Sequence, residues 1–274
     1  HWQDIADRLL TLGTWLSKLS EQELSRFFYR KAYDELLVEK SILARDFAAE
    51  LMQVNDPGIF NHLIRRIDTL MAEFLEDQIK KGKTKPAKAK TTISNTRKYL
   101  REWLNPDNNI PDYIVQGIYR GMLESRSADI LYSFGSGWRE FGTAGIRNPA
   151  LQSSMTAIQK QELEEFADSP HASVLTGPNC INAVTLLQQE SSLVLILRDL
   201  QEKINRHDQA VANLNPEFKA DIIRNRVTIA YDSRLNGEYF AELLSAGFLR
   251  DKVDVDLFDN AAGVPHLAWA AKGD

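Results

Sequence analysis

Between Trp2 and Ile79 apolar residues return every three or four positions: Ile5, Leu9, Leu12, Leu16 and Leu19 in one run, Ile42, Leu43, Phe47 and Leu51 in another. That period puts them on one face of a helix. Asp56-Pro57-Gly58 breaks the pattern, after which Ile59, Leu63, Ile67, Leu70, Phe74 and Leu75 resume it. Residues 1–79 read as three or four amphipathic helices, which a small bundle would bury, with Trp2, Trp15, Phe27 and Phe28 in its core.

The next stretch, "KKGKTKPAKAKTTISNT" at residues 80–96, holds six lysines, one proline and no large apolar residue before Ile93. It offers little to bury against the entropy of ordering, so a lysine-rich, solvated linker is expected. The other reading is a basic arm that touches an acidic partner or nucleic acid.

Beyond it, "RKYLREWL" reads as a short helix stopped by Asn105-Pro106, and Pro111 opens another that runs to about Tyr132. Residues 148–173, polar and interrupted by proline, fit a long loop or an insertion. A helix follows Gly177-Pro178-Asn179 and continues through "AVTLLQQESSLVLILRDLQEKI", with Val184, Leu187, Leu195 and Leu200 among its apolar positions.

Then the period changes. "RVTIAYD" is short and rich in β-branched residues, "GEYFAELLSAGFLR" has helical spacing, and "VDVDLFD" alternates. Strand, helix and strand in about 35 residues make a βαβ unit with parallel strands. In its second strand, Asp254 and Asp256 alternate with Val255 and Leu257 and face away from them. "VPHLAWAAK" begins a last helix after a proline.

Composition narrows the function classes. With 43% hydrophobic and 26% charged residues the chain is expected to bury a core. A net charge of −5 argues against nucleic acid as a principal partner. The lone Cys180 excludes an internal disulfide framework, argues against a thiolate metal site and fits a reducing compartment, so a cytoplasmic protein is expected; no apolar run is long enough to span a bilayer. Cys180 is read as structural, and the five histidines show no metal-ligand spacing. His1 stands where an initiating Met would, which suggests a cleaved or excised piece.

Two places could carry chemistry. In "REFGTAGIRN", Gly142 and Gly145 permit left-handed backbone and close approach of N–H groups to an anion, Thr143 adds a hydroxyl, and Arg147 adds a permanently charged fork suited to phosphate oxygens. An ordinary glycine turn with a solvated arginine would look the same. The first predicted strand ends in "YDSR", which sets Asp232, Ser233 and Arg234 at the carboxyl edge where α/β ligands bind, and the second ends at the same edge in "FDNAAG". The plain alternative is that Asp232 caps a turn and Arg234 is a surface residue.

The blocks "REWLNPD", "ILYSFGSGWREFGTAGIRN", "GPNCINAVTLLQQ", "RVTIAYDSR" and "DVDLFDNAAGVPHLAWAAK" occur in an order that resembles the α-D-phosphohexomutases, over roughly residues 100 to 274. The resemblance implies a first-domain-like α/β region (97–274) with a mixed, partly parallel sheet; the helical bundle (1–79) and the linker (80–96), read from the residue pattern alone, lie outside it. It also implies intramolecular phosphoryl transfer on a sugar phosphate through a phosphoserine, of phosphoglucomutase or phosphomannomutase type, with Mg²⁺ and a sugar bisphosphate primer. Arg147 and Thr143 would lie beside the phosphoserine, and Gly142, Gly145 and Arg234 would help hold phosphate.

The same resemblance implies partners: the sugar phosphate and downstream domains of the same protein; a dimer would be the work of the helical bundle, outside the resemblance. It leaves the sugar unspecified. Some features depart from the family. The chain ends at Gly273-Asp274 before a Ser-His-Asn segment, Asn148 follows Arg147 where glycine is common, and about thirty residues separate that motif from "GPNCIN". The fragment alone is therefore expected to be inactive. The competing reading is a non-catalytic interaction or oligomerisation module on a degenerate mutase scaffold.

Overall fold

A computed structural model of the chain describes residues 7, 8, 10, 11, 30–54, 57–136, 157–214, 225–263 and 266. Helix dominates: eight α-helices accompany one two-stranded parallel sheet among these residues. They form two compact units, divided between Ile181 and Asn182. No described helix is long and apolar enough to cross a membrane.

The first unit holds α1 (Arg30–Val54), α2 (Pro57–Lys80), α3 (Pro86–Trp103), a 3₁₀ turn (Pro106–Asn108), α4 (Asp112–Leu123), α5 (Ser127–Phe134) and α6 (Ala157–Asp168). Helix α1 packs on α4 and α6, while α2 packs on α3, α4 and α5. Ile59, Leu63, Ile67 and Met71 of α2 are buried, as are Trp103 and Phe134, whose rings meet edge to face at 5.8 Å. The break expected at Asp56-Pro57-Gly58 falls between α1 and α2.

Residues 80–96 are not a free linker. After five connecting residues, 81–85, Pro86 opens α3, which buries Ala89, Thr96, Leu100 and Trp103, so later apolar residues hold the lysine-rich start in a helix. The helix expected from Pro111 to Tyr132 is two, because Ser125 takes a left-handed conformation, φ 63°, between α4 and α5. Part of the unassigned stretch 148–173 is α6. Ile42 and Leu43 of α1 are exposed; its buried face runs through Lys40, Ser41, Ala44, Phe47, Ala48 and Leu51.

Polar residues can take core positions on α1 because a buried ion network receives them. The Arg120 guanidinium, wholly buried, donates to Ser41 Oγ, Glu124 Oε1 (3.1 Å), Glu165 Oε2 (2.7 Å) and the Ser173 carbonyl (3.2 Å). Arg126 forks onto Glu162 at 2.6 and 2.8 Å and also reaches Asp129 and Glu124. Lys40 Nζ donates to the Glu124 carbonyl at 2.7 Å.

Burial lowers the Lys40 ammonium from 10.5 to about 8, against a raising effect from Glu124 and with a further lowering from Arg126. The folded state thus binds fewer protons than the unfolded chain between those values, and stability must rise as pH climbs through that window, by up to about 3 kcal/mol. Denaturant titrations at pH 7 and pH 10 are expected to show the wild type gaining about 1–3 kcal/mol relative to Lys40→Met. Parallel pH profiles for the two proteins would show that Lys40 titrates normally.

The second unit holds α7 (Ala183–Leu214), β1 (Arg226–Ile229), α8 (Gly237–Arg250) and β2 (Asp254–Leu257). Asn182 and Thr185 cap α7 reciprocally: Thr185 N donates to Asn182 Oδ1 at 3.1 Å and Asn182 N to Thr185 Oγ1 at 3.0 Å. β1 and β2 pair in parallel, Arg226 opposite Asp254 through Ile229 opposite Leu257, as the βαβ reading expects.

Val194, Phe248 and Val253 form this unit's core, with Leu197, Val227, Ile229 and Val255 packed against it. Because Val194 and Leu197 face that core, Leu195 and Leu200 are exposed rather than buried. In β2 the alternation holds for Val255, but Leu257 is exposed and Asp256 pairs with Arg226 at 3.0 Å. The expected core aromatics Trp2, Trp15, Phe27 and Phe28 lie outside the described residues, as does nearly all of "VPHLAWAAK".

Candidate functional site

The chain leaves β1 through Tyr231 and must reverse into α8 within six residues. Two local features allow it. Asn236 takes the left-handed conformation, φ 57°, which asparagine tolerates better than most residues. Gly237 follows with its Cα so close to the loop that a Cβ would sit 2.7 Å from the Asp232 carbonyl oxygen. The segment after β2 stays alongside: Phe258 N donates to the Ile229 carbonyl at 3.0 Å and Ala262 N to that of Tyr231 at 2.7 Å. Between them lies a cleft of about 430 Å³ lined by Tyr231, Asp232, Arg234, Glu238, Glu242 and Ala261.

The cleft sits at the carboxyl edge of the parallel strands, where sequence reasoning set Asp232, Ser233 and Arg234. Arg234 is largely exposed and forks onto Asp232, with Nε 2.9 and 2.8 Å from its two oxygens and Nη2 2.7 Å from Oδ2. Asp232 Oδ1 also accepts from Arg234 N at 3.1 Å, so the acid both caps its own turn and neutralises the arginine. Hydrogen bonds from Arg234 hold the Asp232 carboxyl below its ordinary value, and those to Asp232 hold Arg234 above its own.

An exposed pair of this kind is worth about 0–1 kcal/mol, so a phosphate could draw Arg234 away at small cost. The rest of the cleft is acidic. Glu238 and Glu242 line it with Tyr231, whose hydroxyl donates to the Asp259 carbonyl oxygen at 3.5 Å, and the Tyr231 phenol is raised by loss of solvation and then by the Glu238, Asp259 and Glu242 carboxylates. Sequence reasoning set "FDNAAG", and with it Asp259, at this edge but missed Glu238 and Glu242; the available signal was their spacing of four on the first turns of the helix that follows "YDSR".

Gly142, Thr143, Gly145 and Arg147 lie outside the described residues. The residues on either side of their segment do meet within the first unit. Asn179 N donates to the Ser133 carbonyl at 3.0 Å and Asn179 Nδ2 to that of Tyr132 at 2.8 Å. A Cβ on Gly177 would lie 2.7 Å from Ser133 O, so the "GPN" turn fits the end of α5 only with glycine there. Two of the ordered blocks, "ILYSFG" and "GPNCIN", are thereby neighbours. Cys180 is buried beside them, its thiol donating to Ser133 Oγ at 3.6 Å.

Among the described residues no group of three or more His, Cys, Asp or Glu side chains could hold a metal ion, so these residues do not fit a Mg²⁺ site. No protein-family model, no characterised protein and no solved structure matches the chain.

Proposed function

We propose that the chain is the N-terminal part of a phosphohexomutase-like enzyme, which moves a phosphoryl group on a sugar phosphate through a phosphoserine. The observation that carries this reading is Arg234, an always-charged fork on the loop at the carboxyl edge of a parallel βαβ unit, held by an exposed pair that a phosphate can replace. The ordered blocks that resemble those of the family support it. Phosphoryl transfer rests on positioning and on fixed positive charge near the equatorial oxygens, which Arg147 and Arg234 would supply. The reading requires a nucleophilic serine and Mg²⁺ ligands from outside residues 1–274.

A second reading, the non-catalytic module on a degenerate scaffold, is favoured by the carboxylates around Tyr231, which outnumber the single cation of the cleft. One assay separates the two: conversion of glucose 1-phosphate to glucose 6-phosphate with Mg²⁺ and a bisphosphate primer. The 274-residue chain is expected to give no turnover and a longer protein with the serine loop to give it. In that longer protein Arg147→Ala should lower kcat/KM about 10²–10³-fold with an unchanged melting temperature. Turnover by the 274-residue chain alone, or full activity of Arg147→Ala, would overturn the enzyme reading as stated.

A further inference from the structure

From Lys80 to Arg101 the chain contains nine cations and no acid. The whole chain carries −5, so this segment stands at +9 against a remainder of −14. Six of the nine are the lysines of the presumed linker, and Arg97, Lys98 and Arg101 follow them. The helix is what joins the two groups: α3 begins at Pro86, inside the lysine run, and ends at Trp103.

At 100° per residue Lys90, Ser94, Arg97, Lys98 and Arg101 fall within one sector of about 100° on α3, clear of its buried Ala89, Thr96 and Leu100, and all five are exposed. Lys80, Lys81, Lys83 and Lys85 extend this surface around the turn at the helix N-terminus, and Lys88 flanks it; all are exposed. The result is a basic stripe about 17 Å long on the helix, from Lys90 to Arg101, continued by a basic tip.

Its charge is mostly unanswered. Lys81 pairs with Asp77 at 2.7 Å and Arg97 with Asp68 at 2.8 Å, both acids from α2, but the other seven cations make no ion pair with a described residue. The first turn of α3 contains no acidic residue and its N-cap, Lys85, makes no side-chain cap, so lysines crowd the positive end of the helix dipole. This arrangement is unfavourable for the isolated fold and favourable beside a polyanion.

We propose that α3 and the turn before it bind the phosphate backbone of a nucleic-acid duplex without reading its sequence. The stripe is linear, which suits a line of phosphates. It carries no exposed large apolar side chain, since α3 buries its apolar face against the fold. That leaves nothing to insert into a lipid surface and no apolar anchor of the kind that dominates protein interfaces. Tyr99, its one aromatic residue besides the buried Trp103, is half-buried under Lys98, 5.0 Å from its ring, so base stacking on a single strand has no platform.

The test is fluorescence anisotropy of the full 274-residue chain with a labelled mixed-sequence DNA duplex of about 24 base pairs. Engagement of about five phosphates predicts a log–log salt slope of about −4 to −5, a loss of roughly 250- to 1,000-fold in affinity between 50 and 200 mM salt. The variant Lys88→Gln, Lys90→Gln, Lys98→Gln, Arg101→Gln should bind at least about tenfold more weakly, with a shallower slope.

A second variant, Lys83→Glu, Lys85→Glu, lies between α2 and α3 and should weaken binding without altering helicity by circular dichroism. Absence of binding at 50 mM salt, a slope shallower than about −1.5, or unchanged affinity in both variants would overturn the proposal. So would equal affinity for vesicles rich in phosphatidylserine or for polyglutamate, which would mark a surface for polyanions in general.

Discussion

Glu162→Gln is expected to destabilise the first unit by about 3 kcal/mol or more, seen as an earlier urea midpoint at unchanged slope. The carboxylate is almost fully buried, takes both arms of the Arg126 fork at 2.6 and 2.8 Å, and accepts Leu175 N at 3.2 Å. Glutamine keeps the shape but offers one acceptor oxygen, and it turns an N–H₂ group toward a guanidinium. Arg126 cannot respond by losing its proton: burial lowers its pKa, but Glu162 and Glu124 more than offset that and hold it well above its ordinary value. Asp129 and Glu124 remain as partners, which keeps the loss from being larger.

The same contact gives the unit an acid limit. Burial raises the Glu162 carboxyl, and the charge and hydrogen bonds of Arg126 outweigh it, leaving the folded value below 4.5. Its contribution is therefore complete above about pH 4.5 and is lost as pH falls through the folded-state value. Glu162→Gln should flatten the stability profile in that range. A loss under about 1 kcal/mol with an unaltered acid profile would mean that Asp129 and Glu124 suffice for Arg126.

Legibility of the sequence followed the reach of the interactions. The βαβ unit was readable because its signals are local: β-branched strands, a helix of regular period and a glycine turn between them. The same holds for Arg234, which the strand end alone locates. The start of α3 was not readable, because what orders its lysines is apolar burial ten to fifteen residues later, at Leu100 and Trp103. Lys40 and Ser41 broke the apparent stripe of α1 since their partners, Glu124 and Arg120, are about eighty residues away. Asp259 was legible in the same way as Arg234, because "FDNAAG" ends the second strand at the edge where the first ends in "YDSR".

Gly117→Ala is expected to cost the first unit about 2–3 kcal/mol, although alanine is the better helix former by about 1 kcal/mol. The added Cβ would overlap the Val174 carbonyl oxygen and lie 2.6 Å from its carbon, so either α4 or the passing backbone must move. That backbone is tied on both sides. Ser173 O accepts from Arg120 Nη1 at 3.2 Å and Leu175 N donates to Glu162 at 3.2 Å, so a shift large enough to relieve the clash pulls on both buried arginine clusters.

Gly121, one turn further, presents the same face to Leu175, whose methyl groups would stand 2.9 and 3.0 Å from its Cβ. The pair "GIYRG" is thus a groove on α4 for residues 173–175, and through them for the arginines that join α1, α4 and α6. Gly82→Ala supplies the control, because a Cβ there meets nothing within 4 Å and the cost is only that of alanine at φ 69°, about 1–2 kcal/mol. Urea unfolding of the two variants side by side decides the matter. If Gly117→Ala were as stable as the wild type, helix propensity would outweigh packing at this crossing, and the groove would have no part in holding the network.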